Sequence, residues 1–199
     1  SVLNESGYQM LLAVTQNNPK KELEYLAAFN DKQVDGVIFA ATILTAEHKR
    51  ALKKLSVPVI LVGQQYPGHC CIYHDDYHAT RDLTGAVVAM GRRNPGYIGA
   101  IIQDKAVGTE RFRGYEDAVS EAGIPDCAQQ MVIAAFTSDS GYEKTGELLE
   151  KYPDLDAVIC ATDTMAAGAI RYLKEHGKRV PEDCLLYTSP SPRDRSVSR

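Results

Sequence analysis

Two polar residues follow an apolar run of strand length, at a position where chemistry is expected in an α/β protein. Thr162 and Asp163 come directly after residues 157–161, an apolar run typical of a parallel strand covered on both faces. Open α/β sheets bind ligands beyond the carboxyl ends of their parallel strands, so this hydroxyl and this carboxylate are predicted to contact a ligand or water. Helix capping is the alternative, since either side chain could cap the helix predicted to follow.

Residues 69–78 are dense in potential metal ligands, but their spacing does not suit a zinc site. The segment contains histidine, cysteine and aspartate side chains and no C-x2-C pair. Strand alternation would direct Cys70 and Cys71 to opposite faces, so a tetrahedral site would need a rearranged backbone. We therefore predict no metal site.

The motifs that mark common enzyme sites are missing from the sequence. It contains no G-x4-G-K-[ST] phosphate-binding loop, no G-x-G-x-x-G after a strand and no G-x-S-x-G nucleophile elbow. Cys160, at the end of a predicted strand, has no identifiable histidine partner and is predicted to be a core thiol. The sequence therefore predicts neither enzymatic activity nor a cofactor.

Composition and charge exclude several other classes of protein. The 199 residues are 44% hydrophobic and 24% charged, which is typical of a globular chain that buries a core. No apolar run approaches the roughly 20 residues of a membrane-spanning helix, and the first residues do not form a basic, apolar signal sequence. The net charge of −4 leaves no basic excess for binding nucleic acid unaided. Five cysteines, an odd number, favour free thiols in a reducing cytoplasm.

Strand-like and helix-like segments alternate along the chain and must position these residues. Apolar runs of strand length occupy residues 10–15, 37–41, 59–63, 70–73, 97–102, 131–135 and 157–161. Amphipathic stretches occupy residues 22–30, 46–55, 76–90, 109–122, 141–152 and 164–176. Gly177 is placed to end the last helix in a left-handed conformation. The alternation predicts an α/β fold with parallel sheets and right-handed crossovers, in one sheet or two.

Four motifs in the chain are shared with a known family. D-x-M-A-x-G-A starts at Asp163 and is followed by a helix, a glycine and V-P-E-D. Residues 91–99 are similar to G-h-r-r-I-x-y-I-g, residues 111–115 to R-x-x-G-[FYW], and residues 34–38 to V-D-G-I-I. These motifs resemble the effector-binding domain of the lactose/galactose-repressor (LacI/GalR) family, over most of residues 5–183.

The resemblance implies a two-lobed, periplasmic-binding-protein-like fold that is truncated at both ends. It implies an N-terminal lobe in residues 1–94, a C-terminal lobe in residues 95–183 and a ligand cleft between them. Pro95 and Gly96 are interpreted as the hinge between the lobes. The chain is expected to start inside the family's first helix, so that the first strand, a ligand-touching loop and the DNA-binding headpiece are absent.

Residues 184–199 do not continue the family pattern, which proceeds into a buried strand. Their serine, proline and arginine content resembles translated adapter read-through and predicts no packing, so we interpret them as a non-native tail. A natural basic tail that is phosphorylated at its Ser-Pro pairs is the alternative.

The resemblance also assigns ligand-binding roles to Arg111 and Asp76. Arg111 lies three residues before Gly114, as the family's ligand-binding arginine does, and its fork of donors suits paired sugar hydroxyls, a carboxylate or a phosphate. A solvated position in the first turn of a helix is the alternative. Asp76 lies where the family places an acidic or amide residue against the ligand. The alternatives are an N-cap role for Asp76, or a ligand role for Asp75 in its place.

Phe136 matches an aromatic residue that packs on the ligand face in the family. It precedes a polar loop, and an aromatic face suits the apolar C–H side of a sugar ring or a base. An ordinary core phenylalanine is the alternative. Residues 160–164 together with residues 74–76 look most like those of the trehalose-type repressors.

The resemblance implies that the chain is the effector-sensing part of a bacterial transcriptional regulator. The implied effector is a sugar or a sugar phosphate, and nucleobase or amino-acid-like effectors are also open. The intact protein is expected to be a cytoplasmic homodimer that contacts operator DNA only through the missing headpiece and has no membrane partner. A solute-binding receptor of a sugar ABC importer shares the fold and is the alternative, which an export signal would indicate.

Overall fold

The computed structural model describes residues 2–188 and divides the chain into two compact units. The N-terminal unit is Ser1–Tyr73 and the C-terminal unit is His74–Arg199. Each contains one parallel β-sheet with helices between its strands, which confirms the predicted α/β fold. The compact units divide after Tyr73, so residues 74–94 belong to the C-terminal unit. The lobe boundary at residues 94–95 stays a prediction. Among residues 2–188, no helix is both long and apolar enough to cross a membrane.

The N-terminal unit is built around a three-stranded sheet. Its elements are α1 (Val2–Glu5), α2 (Pro19–Asp31), β1 (Val37–Ala40), α3 (Ala46–Lys54), β2 (Val59–Val62) and β3 (Cys70–Ile72), with the strands in the order β1-β2-β3. Leu26, Leu52 and Leu61 lie in its apolar core. In the same unit, the buried Nε2 of His48 lies 3.1 Å from a carboxylate oxygen of Glu22, and this contact joins α3 to α2.

The strand predicted over residues 10–15 is not formed. This stretch has no strand partner, and the side chains of Met10 and Leu12 are 69% and 77% exposed. A strand needs a neighbour that accepts and donates its backbone hydrogen bonds, and no strand of the β1-β2-β3 sheet pairs with this stretch. Apolar length alone therefore predicted the wrong structure here.

The C-terminal unit contains a four-stranded parallel sheet. Its regular elements are α4 (Asp76–Ala89), β4 (Pro95–Gly99), α5 (Arg111–Glu121), β5 (Met131–Ile133), α6 (Ser138–Lys151), β6 (Ala157–Cys160), α7 (Asp163–Glu175) and β7 (Leu185–Thr188). The strand order is β5-β4-β6-β7, and every residue of β4 and β6 is buried. Both faces of the sheet are thus covered, as the apolar run at residues 157–161 predicted. Pro95 and Gly96, interpreted as a hinge, lie inside β4.

The carboxyl ends of β4 to β7 form one edge of this sheet, which we call the carboxyl edge. Because α6 and α7 follow β5 and β6 directly, both helices begin at this edge. The Thr137 and Thr162 hydroxyls cap them. At the far end of α7, Gly177 has a φ of 75°, which confirms the predicted left-handed residue after the helix.

A π-helical turn, Lys105–Glu110, leads from β4 into α5, where the sequence predicted an α-helix from residue 109. The buried Asp104 carboxylate accepts a hydrogen bond from the Val107 N–H and begins the turn. A Cβ atom on Gly108 would lie 1.9 Å from the Ile101 carbonyl oxygen, so the turn packs back on the chain that leaves β4. This tight return delivers Arg111 to the first position of α5.

The prediction that residues from 184 onward do not pack is wrong for Cys184–Thr188. Cys184 is fully buried in the core of the C-terminal unit. Leu185–Thr188 forms β7, which pairs in parallel with β6 from Ala157 to Cys160. The edge of β6 presents unpaired backbone groups that an extended segment can pair with, and Leu186 adds an apolar side chain packed against the core. The rest of the predicted non-native tail, residues 189–199, lies outside the described residues.

Two glycines explain part of the motif that begins at Asp163. Helices α6 and α7 approach so closely that a Cβ atom on Gly168 would lie 1.9 Å from the Ser138 carbonyl oxygen. A Cβ atom on Gly141 would lie 2.3 Å from the Met165 carbonyl oxygen. The glycine of D-x-M-A-x-G-A is therefore required by helix packing, and this packing fixes the first turn of α7 against α6.

Candidate functional site

The structure brings Arg111, Asp76 and the end of β6 together at the carboxyl edge. The Arg111 Nε donates to Asp76 Oδ1 at 2.7 Å, and its Nη1 donates to the Ala161 carbonyl oxygen. The two side chains are only 17% and 7% exposed. The solvated alternative for Arg111 is therefore wrong, and its guanidinium joins the starts of α4 and α5 to the chain leaving β6.

Asp76 is not the N-cap of α4, because Asp75 has that role. The Asp75 carboxylate accepts a hydrogen bond from the His78 N–H at 3.1 Å, and a carboxylate oxygen lies 2.8 Å from His78 Nδ1. The backbone hydrogen bond from His78, with the contact to its side chain, lowers the pKa of Asp75. Asp75 is exposed, whereas Asp76 is buried and pairs with Arg111. Ligand contact by Asp76, or by Asp75 in its place, stays a prediction.

Thr162 and Asp163 take different roles at the start of α7. The Thr162 hydroxyl accepts a hydrogen bond from the Met165 N–H at 3.4 Å, so capping is the contact that Thr162 makes here. Its own proton stays available for donation, since a hydroxyl is both donor and acceptor. Asp163 is exposed and accepts a hydrogen bond from the Thr188 hydroxyl at 2.6 Å. Both residues lie within two positions of the Ala161 carbonyl that Arg111 contacts.

Phe136 follows β5 and is half-buried. Its side chain packs against the apolar core of the C-terminal unit, as expected if Phe136 is an ordinary core phenylalanine. Ligand contact by the exposed part stays a prediction.

Sequence reasoning missed Tyr97 as a polar group beside this site. Tyr97 is fully buried in β4, and its ring stacks on Tyr115 with 5.0 Å between centroids. Burial raises the pKa of Tyr97, and the positive charge of Arg111 opposes that shift. Its hydroxyl has no hydrogen-bond partner among residues 2–188. A tyrosine inside a strand buried on both faces is a signal that could have identified it, because such hydroxyls usually have partners.

The cysteine-rich segment has the alternation expected of a strand. Cys70 is exposed and Cys71 is half-buried in β3, with its Sγ 3.3 Å from the Tyr66 backbone nitrogen. Within residues 2–188, no three histidine, cysteine, aspartate or glutamate side chains converge as metal ligands.

Alkylation should distinguish the exposed cysteine from the buried ones. Burial raises the pKa of Cys160 and raises that of Cys184 to about 11, so little thiolate forms at mildly alkaline pH. We expect iodoacetamide to modify Cys70 in the folded chain and to spare Cys127, Cys160 and Cys184 until denaturant is added. Mass spectrometry of native and unfolded samples measures the difference. Rapid native modification of Cys184 would contradict the docking of β7.

Comparisons with known proteins point to one family. The model described as "Periplasmic binding proteins and sugar binding domain of LacI family" matches residues 2–189. The chain is 31% identical over 198 residues to the sucrose operon repressor of Staphylococcus xylosus, an alignment that covers 100% of this chain and 61% of the repressor. It is 32% identical over 181 residues to catabolite control protein A of Priestia megaterium, an alignment that covers 88% of this chain and 54% of that protein. The chain thus spans a little over half the length of these relatives.

Solved structures of transcription regulators share the fold. The transcription regulator CcpA of Lactococcus lactis matches with a TM-score of 0.86 and 26% identity, covering 97% of this chain and 71% of that one. A complex of the transcriptional regulator CelR with cellobiose matches with a TM-score of 0.80 and 29% identity, covering 92% of this chain and 57% of that one. These likenesses confirm the predicted class of fold.

Proposed function

This chain belongs to the family of periplasmic binding proteins and LacI-family sugar-binding domains, and from that premise we propose that it senses a sugar or sugar phosphate for a bacterial transcriptional repressor. The observation that carries the proposal is the Arg111–Asp76 pair, held beside Thr162 and Asp163 at the carboxyl edge. An arginine fork donates to hydroxyl oxygens, and carboxylates accept from hydroxyl protons. These groups together match the alternating donors and acceptors of a sugar.

The named relatives support a sugar as effector. One is the repressor of a sucrose operon, and the CelR structure contains cellobiose. Phe136, half-exposed after β5, could pack on the apolar face of such a ring. Resemblance to trehalose-type repressors lies within the same chemical class.

We further propose that the effector acts by shifting the population of two arrangements of the intact protein. A ligand changes DNA affinity only if its own affinity differs between the DNA-competent and the DNA-incompetent arrangement. A net charge of −4 gives this chain no electrostatic attraction to phosphates, so a separate helix-turn-helix headpiece is proposed to contact operator DNA. A cytoplasmic homodimer without enzymatic activity or cofactor is part of this proposal.

The coding sequence upstream of Ser1 tests the proposal directly. We expect it to encode a basic helix-turn-helix segment in frame with this chain, because a regulator needs its own DNA-binding element. A secretory signal in that place would contradict the repressor proposal and favour the solute-binding receptor, which belongs to the same family.

A further inference from the structure

The N-termini of three helices at the carboxyl edge, α4, α6 and α7, are capped by side chains. The fourth, α5, has no side-chain cap of its own and continues from the π-helical turn that Asp104 caps. A free helix N-terminus is a ready anion site, because its N–H groups are unpaired and the helix dipole is positive there. The capping contacts are Asp75 to the His78 N–H at 3.1 Å in α4, Thr137 to the Ser140 N–H at 3.1 Å in α6 and Thr162 to the Met165 N–H at 3.4 Å in α7. Each cap removes a donor that a phosphate would need.

Carboxylates already occupy the first turns of the same three helices. They belong to Asp76 in α4, Asp139 in α6 and Asp163 in α7. A negative side chain in the first turn balances the positive end of the helix dipole. A phosphate at this edge would therefore meet negative charge where an anion-binding protein presents positive charge.

The cation at the centre of the site is likewise already paired. Arg111 contacts the carboxylate of Asp76 and the Ala161 carbonyl, and its side chain is largely buried. An anionic ligand would have to compete with Asp76 for this guanidinium. A sugar hydroxyl can instead accept from an Arg111 N–H and donate to an Asp76 oxygen while the ion pair stays intact.

The remaining charges around the edge do not reverse this balance. Asp139 pairs with Arg171 at 2.9 Å, and Glu110 pairs with Arg113 at 2.8 Å. Asp163 accepts from a neutral hydroxyl, that of Thr188. Lys105, exposed on the π-helical turn, is a further cation in the loops of this edge.

We infer that the site at the carboxyl edge selects an uncharged, polyhydroxylated ligand over its phosphorylated form. Asp76 and Asp163 accept hydroxyl protons, Arg111 donates to hydroxyl oxygens, and the carboxylates in the first turns of α4, α6 and α7 repel added negative charge. This inference rests on the proposed function and narrows it from sugars and sugar phosphates to neutral sugars.

Paired titrations of the whole chain test the inference. Sucrose, trehalose, cellobiose and glucose are each compared with the corresponding 6-phosphate by calorimetry. We expect at least one neutral sugar to bind ten-fold or more tightly than its phosphate. Its affinity should change little between low and high ionic strength, because no net charge is transferred to the site.

Asp163→Asn provides the matched test of charge. The substitution removes one negative charge and keeps the shape of the side chain. It should therefore weaken binding of the neutral sugar several-fold and reduce the difference in affinity between the neutral sugar and its phosphate. Asp82→Asn, on the exposed surface of α4, makes the same chemical change and should leave both affinities unchanged. Thermal melting shows whether both variants are folded. If Asp163→Asn does not fold, the inference is tested by the ionic-strength comparison on the unsubstituted chain.

The outcomes separate this inference from the function on which it rests. Tighter binding of a phosphate than of its neutral sugar overturns the inference and leaves the sugar-sensing function in place. A phosphate preference that disappears in Lys105→Ala would overturn it in the same way and identify the phosphate-binding group. A folded chain that binds neither form of any sugar in the panel contradicts the proposed function itself.

Discussion

Gly168→Ala is expected to lower the free energy of unfolding of the C-terminal unit by about 3 kcal/mol or more, at or above the upper end of typical overpacking effects. The added Cβ would lie 1.9 Å from the Ser138 carbonyl oxygen and 2.5 Å from the Tyr142 nitrogen. Both atoms are backbone atoms at the start of α6, so relief requires one helix to move. Urea denaturation followed by circular dichroism measures the loss.

Gly85→Ala is the matched control for this substitution. Gly85 lies inside α4, and a Cβ atom there would meet nothing within 4 Å. Alanine in an open helix interior should raise stability by about 0.5–1 kcal/mol, because it reduces the backbone entropy of the unfolded chain. Equal effects at positions 85 and 168 would show that helix propensity, and not the contact between α6 and α7, decides the outcome.

Arg111→Ala is expected to weaken effector binding at least ten-fold and also to destabilise the ligand-free chain. The stability effect follows from the ion pair, because the Asp76 carboxylate, 7% exposed, would lose its cation. Leaving a buried carboxylate without its cation costs about 3–5 kcal/mol. Calorimetric titration with neutral sugars and thermal melting of the ligand-free variant measure the two effects.

Two further variants isolate the cause. Arg113→Ala removes the same group two residues away, from an exposed ion pair with Glu110, and should change stability by less than about 1 kcal/mol and binding not at all. Adding Asp76→Asn to Arg111→Ala should restore part of the stability without restoring binding, because it removes the unpaired charge. An Arg111→Ala chain that melts and binds like the unsubstituted one would remove Arg111 from both roles.

Where local chemistry decides, the sequence was a sufficient guide. Apolar spacing predicted α2 to α7, each with bounds within a few residues of the observed ones, but not the short α1. Continuous burial of β6 followed from the apolar run at residues 157–161. The left-handed glycine after α7 was predicted, and capping before α7 was the alternative given for Thr162, because both depend on the nearest few residues. The family motifs indicated Arg111 and Asp76 as candidate ligand-binding residues.

The partners of those residues depended on distant parts of the chain. Arg111 and Asp76 are 35 positions apart and meet only because α4 and α5 pack together, an approach that Gly114 permits by having no side chain against the Tyr77 carbonyl. In the folded unit Asp75 caps the helix, while Asp76 pairs with Arg111. The Tyr97 hydroxyl was missed for the same reason, since its burial follows from the sheet and α5 together.

Strand formation shows most clearly what only the tertiary structure decided. Residues 10–15 are more apolar than Leu185–Thr188, yet only the second segment becomes a strand. The difference is the neighbour: β6 offers Leu185–Thr188 an edge of unpaired backbone groups, whereas no strand pairs with residues 10–15. The sequence by itself determined which segments can be helices or strands and which side chains have the polar chemistry of a candidate site. The availability of a hydrogen-bonding edge and the approach of two helices decided which segments form strands and which side chains meet.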